Sequence, residues 1–238
     1  MSSASPSNDL RNRILFTIFI LAIYRLGTFV PLPGIDPEQL QNMMEGNQKG
    51  LLGMFNVFAG GAISRMAIFA LGIMPYISSS IIVQLLTGVS EYFKNLKNQG
   101  EIGRKKITQI TRYGTVLLAF IQASALAVTL SSGGLAYNPG SAFFVSAVFS
   151  VVAGTIFLMW LGEQISERGI GNGISIIIAT SILTGIPSAI GQALEQARQG
   201  DLNILMLLSI GVLAMVVIAV VVFIERGQRR ITVNYAQR

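Results

Sequence analysis

The chain has 238 residues, of which 52% are hydrophobic and only 12% charged, and its mean hydropathy is +0.62. So few polar side chains cannot cover a soluble domain of this size, and the composition is that of a polytopic membrane protein. The formal charge is +6, and the absence of His and Cys removes disulfides, thiolate chemistry and the commonest general base and metal ligand, which speaks against an enzyme.

In chain order, residues 2–8 are polar and read as disordered. The first apolar run, residues 14–30, follows Arg11 and Arg13 but is interrupted by Arg25 and lacks a small-residue cleavage pattern, so it reads as a retained helix and not a signal peptide. Arg25 costs roughly 2.5–3.5 kcal/mol at a helix centre on insertion scales, and snorkelling to the outer interface is the simplest expectation for it. Pro31 and Pro33 with Gly34 then end the helix sharply. Asp36-Pro37-Glu38 has the pattern of an N-cap and first turn for a short amphipathic helix reaching Met44. Residues 51–62 are apolar but about half the length a span needs, so they must be interfacial or re-entrant, and Gly50, Gly53, Gly60 and Gly61 favour a loosely held element.

The second long run, residues 66–86, is irregular. Gly60, Gly61 and Arg65 precede it, Gly72 and Pro75 weaken its middle, and Ser78, Ser79, Ser80 and Gln84 bring polar groups that lipid cannot satisfy. Such breaks are tolerated where protein or water surrounds the backbone, which points to a pathway through the membrane. Further spans fall at residues 113–130, 142–161, 174–193 and 204–224, making six. Arg11 and Arg13, the basic run within residues 94–112, Arg168, and Arg226, Arg229, Arg230 and Arg238 then share one side, against Lys49 and Arg198 on the other. The positive-inside rule makes the first side, and both ends of the chain, cytoplasmic.

Ile73 and Ile77 lie four apart on one helical face, as do Ile174 and Ile178, although lipid-facing isoleucine is common in any span. The segment 160–173 carries Trp160 at interfacial depth and alternating glycines at 169, 171 and 173. Without a preceding strand or a following lysine it is a poor phosphate loop and reads as a tight hinge between two helices. The basic segment 94–112 suits anionic lipid, ribosomal RNA or an acidic protein surface, and positive-inside bias explains it equally well. Alternation at Ile231, Val233 and Tyr235 predicts a strand entering a cytoplasmic hairpin, and with no partner strand after it the chain reads as stopping inside a larger unit.

Residues 27–36, 60–86, 160–178 and 225–235, in this order and topology, resemble the SecY family, central subunits of the bacterial protein-conducting channel. The resemblance covers essentially the whole chain. It implies an all-α polytopic membrane protein with six transmembrane helices and a short re-entrant plug helix, corresponding to the amino-terminal half of an inverted-repeat ten-helix channel. Residues 1–13 would be a cytoplasmic segment, 14–193 the first five-helix half, 194–224 the sixth span, and 225–238 the start of a cytoplasmic partner-binding loop.

The plug would occupy about residues 51–65, including Leu51, Met54, Phe55, Val57, Phe58, Gly60, Gly61 and Arg65. The pore ring would take Ile73, Ile77, Ile174 and Ile178 from this chain. A lateral gate would use Ser80, Ile81, Gln84 and Leu85 from the second span and Leu118 and Gln122 from the third. Arg226, Arg229, Arg230 and Arg238 would face a ribosome or the motor ATPase SecA. Implied partners are SecE, SecG, SecA, the ribosome, signal sequences, nascent polypeptides and membrane lipid, with no direct DNA binding and no cofactor, in the bacterial inner membrane.

A secondary transporter with broken midplane helices is the competing class, and its only polar centre would be Gln84 with residues 78–80. An intramembrane enzyme would need paired membrane carboxylates, and no Asp or Glu falls within a predicted span.

Overall fold

The computed structural model describes residues 6–36, 40, 59–198 and 204–227. Among them are seven helices: α1 (Pro6–Gly27), α2 (Met74–Val89), α3 (Glu91–Asn98), α4 (Glu101–Ser132), α5 (Ser141–Arg168), α6 (Gly173–Arg198) and α7 (Ile204–Glu225). By length and composition, Glu101–Ser132, Ser141–Arg168, Gly173–Gly191 and Leu208–Glu225 are able to cross a membrane. At about 1.5 Å per residue the 16 residues of α2 reach about 24 Å, short of a ~30 Å hydrocarbon core.

The chain divides into two compact units, Met1–Gly185 and Ile186–Arg238. In the first, α4 packs along α5 and α2, and α5 also packs on α1. The contact line of α4 is a row of small residues, Thr111, Thr115, Ala119, Ala123 and Ala127, spaced by four and all buried. Between membrane helices there is little hydrophobic driving force, so close approach over small side chains supplies the attraction. Ser79 of α2 exploits this approach, donating to the Thr111 carbonyl at 2.8 Å, with Gly114 directly opposite its hydroxyl. The second unit holds the end of α6, with Pro187 inside that helix, and α7, whose described side chains are all exposed.

One strong polar contact ties α4 to α5. Arg112 donates from Nε and Nη2 to the two carboxylate oxygens of Glu163 at 2.7 and 2.8 Å, a planar two-bond match. The sequence alone puts Arg112 in a basic loop and Glu163 in a hinge, and pairs neither. Both lie at the ends of predicted spans, at the same depth, which is the one signal of the pair that a sequence carries.

Several expectations are corrected. Helix α1 begins at Pro6, inside the stretch read as disordered, because proline suits a first helical turn and Asp9 both lies near that end and pairs with Arg13 at 3.2 Å. The second apolar run is not helical from 66. It is a chain of turns up to Ile73, and Pro75 sits at the start of α2 and not in mid-helix, where its missing N–H costs nothing. The basic stretch 94–112 is not a loop: α3 and the first three turns of α4 run through it. Likewise α5 continues to Arg168, so the predicted hinge shrinks to residues 169–172. Of the expected helix after Asp36, only Leu40 is described. It is helical, its N–H donating to the Asp36 carbonyl at 3.1 Å.

Two substitutions report on this packing. A Cβ at Gly154 of α5 would collide with the Ile68 carbonyl, so Gly154→Ala is expected to cost about 1–3 kcal/mol, whereas Gly191→Ala, with open space around it, should not destabilise; thermal unfolding in detergent compares them. Arg112→Gln and Glu163→Gln should each cost about 1–2 kcal/mol, at the low end because Arg112 is 44% exposed, and the double variant should lose less than the sum. Strict additivity would remove the pair as a unit.

Candidate functional site

The segment 59–73 is the unusual part of the first unit. It carries four residues in the left-handed region, Gly60 (φ 63), Gly61 (φ 81), Met66 (φ 41) and Gly72 (φ 55), and advances as linked turns. Yet Ala62, Ala67, Phe69 and Ala70 are almost wholly buried. Irregular backbone at membrane depth is stable only if protein satisfies it. Here the Leu32 N–H donates to the Met66 carbonyl at 2.8 Å and the Ile68 N–H to the Val30 carbonyl at 3.0 Å, forming an antiparallel bridge between Pro31 and Ala67. The run 27–36, which by sequence could be a plain turn, is thus a binding strip. Its far end makes a second bridge, Ile35 with Ala136, so it joins this segment to the connection between α4 and α5.

Phe69 lies at the heart of this contact. Its ring stacks between Tyr24 at 6.1 Å and Phe157 at 6.2 Å, and Phe157 stacks on Trp160 at 5.8 Å. Gly27 faces the Phe69 ring so closely that no other residue would fit.

Gly60 rests on a small polar assembly. The Tyr24 and Ser181 hydroxyls are 2.5 Å apart, and since Ser181 donates to the Ile177 carbonyl at 2.8 Å, Tyr24 is the donor between them. A Cβ at Gly60 would stand 2.8 Å from the Tyr24 hydroxyl. Arg25, half-buried in the last turn of α1, donates from Nη1 to the Gly60 carbonyl at 2.9 Å, which gives the guanidinium a partner inside the protein. Arg25 and Arg65 also lie over the Phe29 ring, at 5.1 and 4.2 Å. Among the predicted plug residues, Leu51, Met54, Phe55, Val57 and Phe58 lie outside the described residues.

The four isoleucines singled out in sequence come together. Ile73 caps α2, Ile77 is one turn into it, and Ile174 and Ile178 open α6; all belong to one apolar cluster with Ile20, Tyr24, Phe69 and Leu158. Ile177, which the sequence does not single out, is the most buried isoleucine of α6 at 1% exposed, and its place one residue from Ile178 is the only hint the sequence holds.

On α2 the buried face is Pro75, Ser79 and Val83, so the predicted gate residues occupy the remaining surface. Ile81 and Leu85 are 51% and 65% exposed, and Gln84 donates its amide to Ser80 within the same helix at 3.2 Å. Leu118 and Gln122 of α4 are half-buried beside its small-residue line. With Ser79 bonded to Thr111 and Gln84 to Ser80, the polar groups of α2 do not converge on a solute site.

The α5–α6 turn is also closed to anions. Asn172 Oδ1 accepts from the N–H groups of Ile174 and Ser175, Ser166 Oγ from Gly173, Thr17 Oγ1 from Ile170, and the Ile165 carbonyl from Gly169. A phosphate cradle needs such amides free. Arg226 is exposed just after α7, and Arg229, Arg230 and Arg238, with the predicted strand, lie outside the described residues.

Known proteins bear on these features. The SecY family model matches residues 67–238. "Protein translocase subunit SecY" of Escherichia coli K12 is 56% identical over 241 positions, taking in all of this chain and 54% of that protein. Its namesake from Pseudomonas aeruginosa is 53% identical over 97% of this chain and 52% of its own length. The one from Buchnera aphidicola is 56% identical over the whole chain and 68% of that protein. The chain thus spans about half to two thirds of the length of these relatives. Among solved structures, "Sec61 in the Canine ribosome-channel complex from the endoplasmic reticulum" aligns over 94% of this chain and 49% of its own, with a TM-score of 0.64 and 18% identity. "The structure of a protein conducting channel" aligns over 80% of this chain and 42% of its own, with a TM-score of 0.56 and 17% identity. At those identities the structures speak for the fold, and the family match, reinforced by the relatives, speaks for descent: the chain belongs to the SecY family.

Proposed function

We propose that this chain supplies one half of a passive pore for unfolded polypeptide, together with a sixth span and the start of a cytoplasmic docking loop. The observation that carries the proposal is the gathering of Ile73 and Ile77 with Ile174 and Ile178 in one apolar cluster, where a broken segment meets the start of α6. Branched apolar side chains suit a constriction for a peptide chain, because they offer it no strong hydrogen bonds and dewet when it is absent. Charges there would hold ions or substrate. Family membership supports the same reading, since the relatives are named as protein translocase subunits.

In this proposal six spans cross the bacterial inner membrane with both ends of the chain cytoplasmic. The turn-rich stretch and α2 together make the second crossing. Residues of about 51–65 act as a plug, with Gly60 and Gly61 as its hinge. The exposed face of α2 with Leu118 and Gln122 of α4 forms one wall of a lateral gate, through which transmembrane segments leave for lipid. SecE and SecG complete the assembly, and SecA or a ribosome docks on the Arg226 side and supplies the energy. The ribosome–channel complex among the structural neighbours supports the last point. A solute transporter is the weaker reading, since α2 brings no convergent polar centre.

Replacing Ile77 and Ile178 by glycine in the complete channel should raise its resting ion conductance several-fold in planar bilayers; unchanged conductance would take both out of the constriction. A cysteine at Phe58 should change its reactivity to a membrane-impermeant thiol reagent when a precursor is inserted. Equal protection in both states would end the plug reading. Vesicles holding the complete channel should import a secretory precursor and no small solute.

A further inference from the structure

The pore, the gate and the docking loop leave the polar assembly around Gly60 unexplained. Tyr24 and Arg25 in the last turn of α1 and Phe29 just beyond it all meet the segment 60–65. Arg25 holds the Gly60 carbonyl at 2.9 Å. Phe29, in the turn after α1, receives Arg65 over its ring at 4.2 Å, so the same short segment is held at one end by α1 and at the other by the turn that follows it. Beneath Gly60, the Tyr24–Ser181 bond joins α1 to α6 and forms the floor on which this glycine sits.

We propose that Arg25 is the positioning residue that holds the plug hinge in its resting place, with the Tyr24–Ser181 bond as its floor. The proposal rests on the plug reading above. An arginine in an apolar run is costly, and here its charge is spent on the Gly60 carbonyl and on the Phe29 ring, which also receives Arg65 of the same segment. Gly60 lies in the left-handed region, φ 63, where its carbonyl direction is set by a backbone that other residues rarely adopt. Holding that oxygen fixes the direction in which the chain passes from Ala59 to Gly61. Moving the hinge away from α1 breaks the Arg25 bond, and moving α1 away from α6 breaks the Tyr24–Ser181 bond and removes the floor under Gly60, so both motions loosen the hinge by different contacts.

The bonds differ in strength. A charge-assisted bond to a carbonyl is worth about tenfold or more in an equilibrium, whereas a neutral bond between membrane helices is worth about threefold. Arg25→Met, which keeps the stem and removes the donor, should therefore act more strongly than Tyr24→Phe with Ser181→Ala.

The test uses the complete channel in its native complex, reconstituted in planar bilayers and in vesicles. Arg25→Met should raise resting ion conductance about tenfold, the worth of one charge-assisted bond. It should also admit a precursor whose signal sequence has been disabled, while complex yield and thermal stability stay at the parent's level. Arg25→Lys, which keeps a charged donor without the planar guanidinium, should fall between, and Tyr24→Phe/Ser181→Ala should give about a threefold rise. A purely structural arginine would lower yield and stability without relaxing the choice of precursor, and that result overturns the proposal. Should Arg25→Met fail to assemble, Arg25→Lys and the Tyr24→Phe/Ser181→Ala pair carry the test, and parental conductance in both overturns it. Deleting residues 51–58 separates the two readings. If the deletion raises conductance while the Arg25 variants do not, the latch fails and the plug stands; if the deletion changes nothing, the plug reading falls and the latch falls with it.

Discussion

A peptide chain that leaves the helix inside an apolar interior must find a partner for every amide it exposes, and segment 59–73 lives under that constraint. Its solution is to borrow. The strip after α1 lends the Leu32 N–H and the Val30 carbonyl, and turn bonds within the segment take up others. Arg25 lends a side-chain donor to Gly60. Because these partners come from fixed places, the segment constrains α1, α5 and the connection between α4 and α5 as much as they constrain it. Gly27 must stay bare to admit the Phe69 ring, and Gly154 must stay bare to pass the Ile68 carbonyl. Removing the irregular segment would leave those glycines without a reason.

The remaining helices follow a different rule. Between α2, α4 and α5 there is almost no polar chemistry beyond Ser79 and the Arg112–Glu163 pair, so attraction depends on how closely the backbones approach. The row of alanines and threonines on α4 provides that approach. An apolar face left over, such as Ile81 and Leu85 of α2, meets no penalty in lipid, which is why helices here are free to keep one side unpartnered.

Hydropathy and the clustering of positive charge make the membrane class legible in the sequence, and glycine with proline marks the break near residue 72. Those signals are one-dimensional and strong. Helix ends are not legible in the same way, since α4 and α5 extend beyond the apolar core into charged sequence: the Glu, Gln, Lys and Arg residues at 101–112 and 162–168 are good helix formers despite their polarity and carry the helix past Gly103 and Gly162. The polar contacts escape sequence reading for a related reason. Arg25 with Gly60, Tyr24 with Ser181 and Arg112 with Glu163 join positions 35, 157 and 51 residues apart, and nothing local in the sequence marks such a pair. The isoleucines at 73, 77, 174 and 178 stand out because family motifs point to them; their spacing alone also fits a lipid-facing stripe.

The aromatic ladder has an optical consequence. Trp160 is the chain's single tryptophan, half exposed, and it leans on Phe157, which in turn leans on Phe69 at the centre of the irregular segment. Close-packed rings cannot shift singly without opening a void, so a displacement at Phe69 has to be taken up along the stack. The emission of one indole is therefore expected to respond to the packing of a segment far earlier in sequence, which would give this chain a spectroscopic gauge of its own interior without any label being attached.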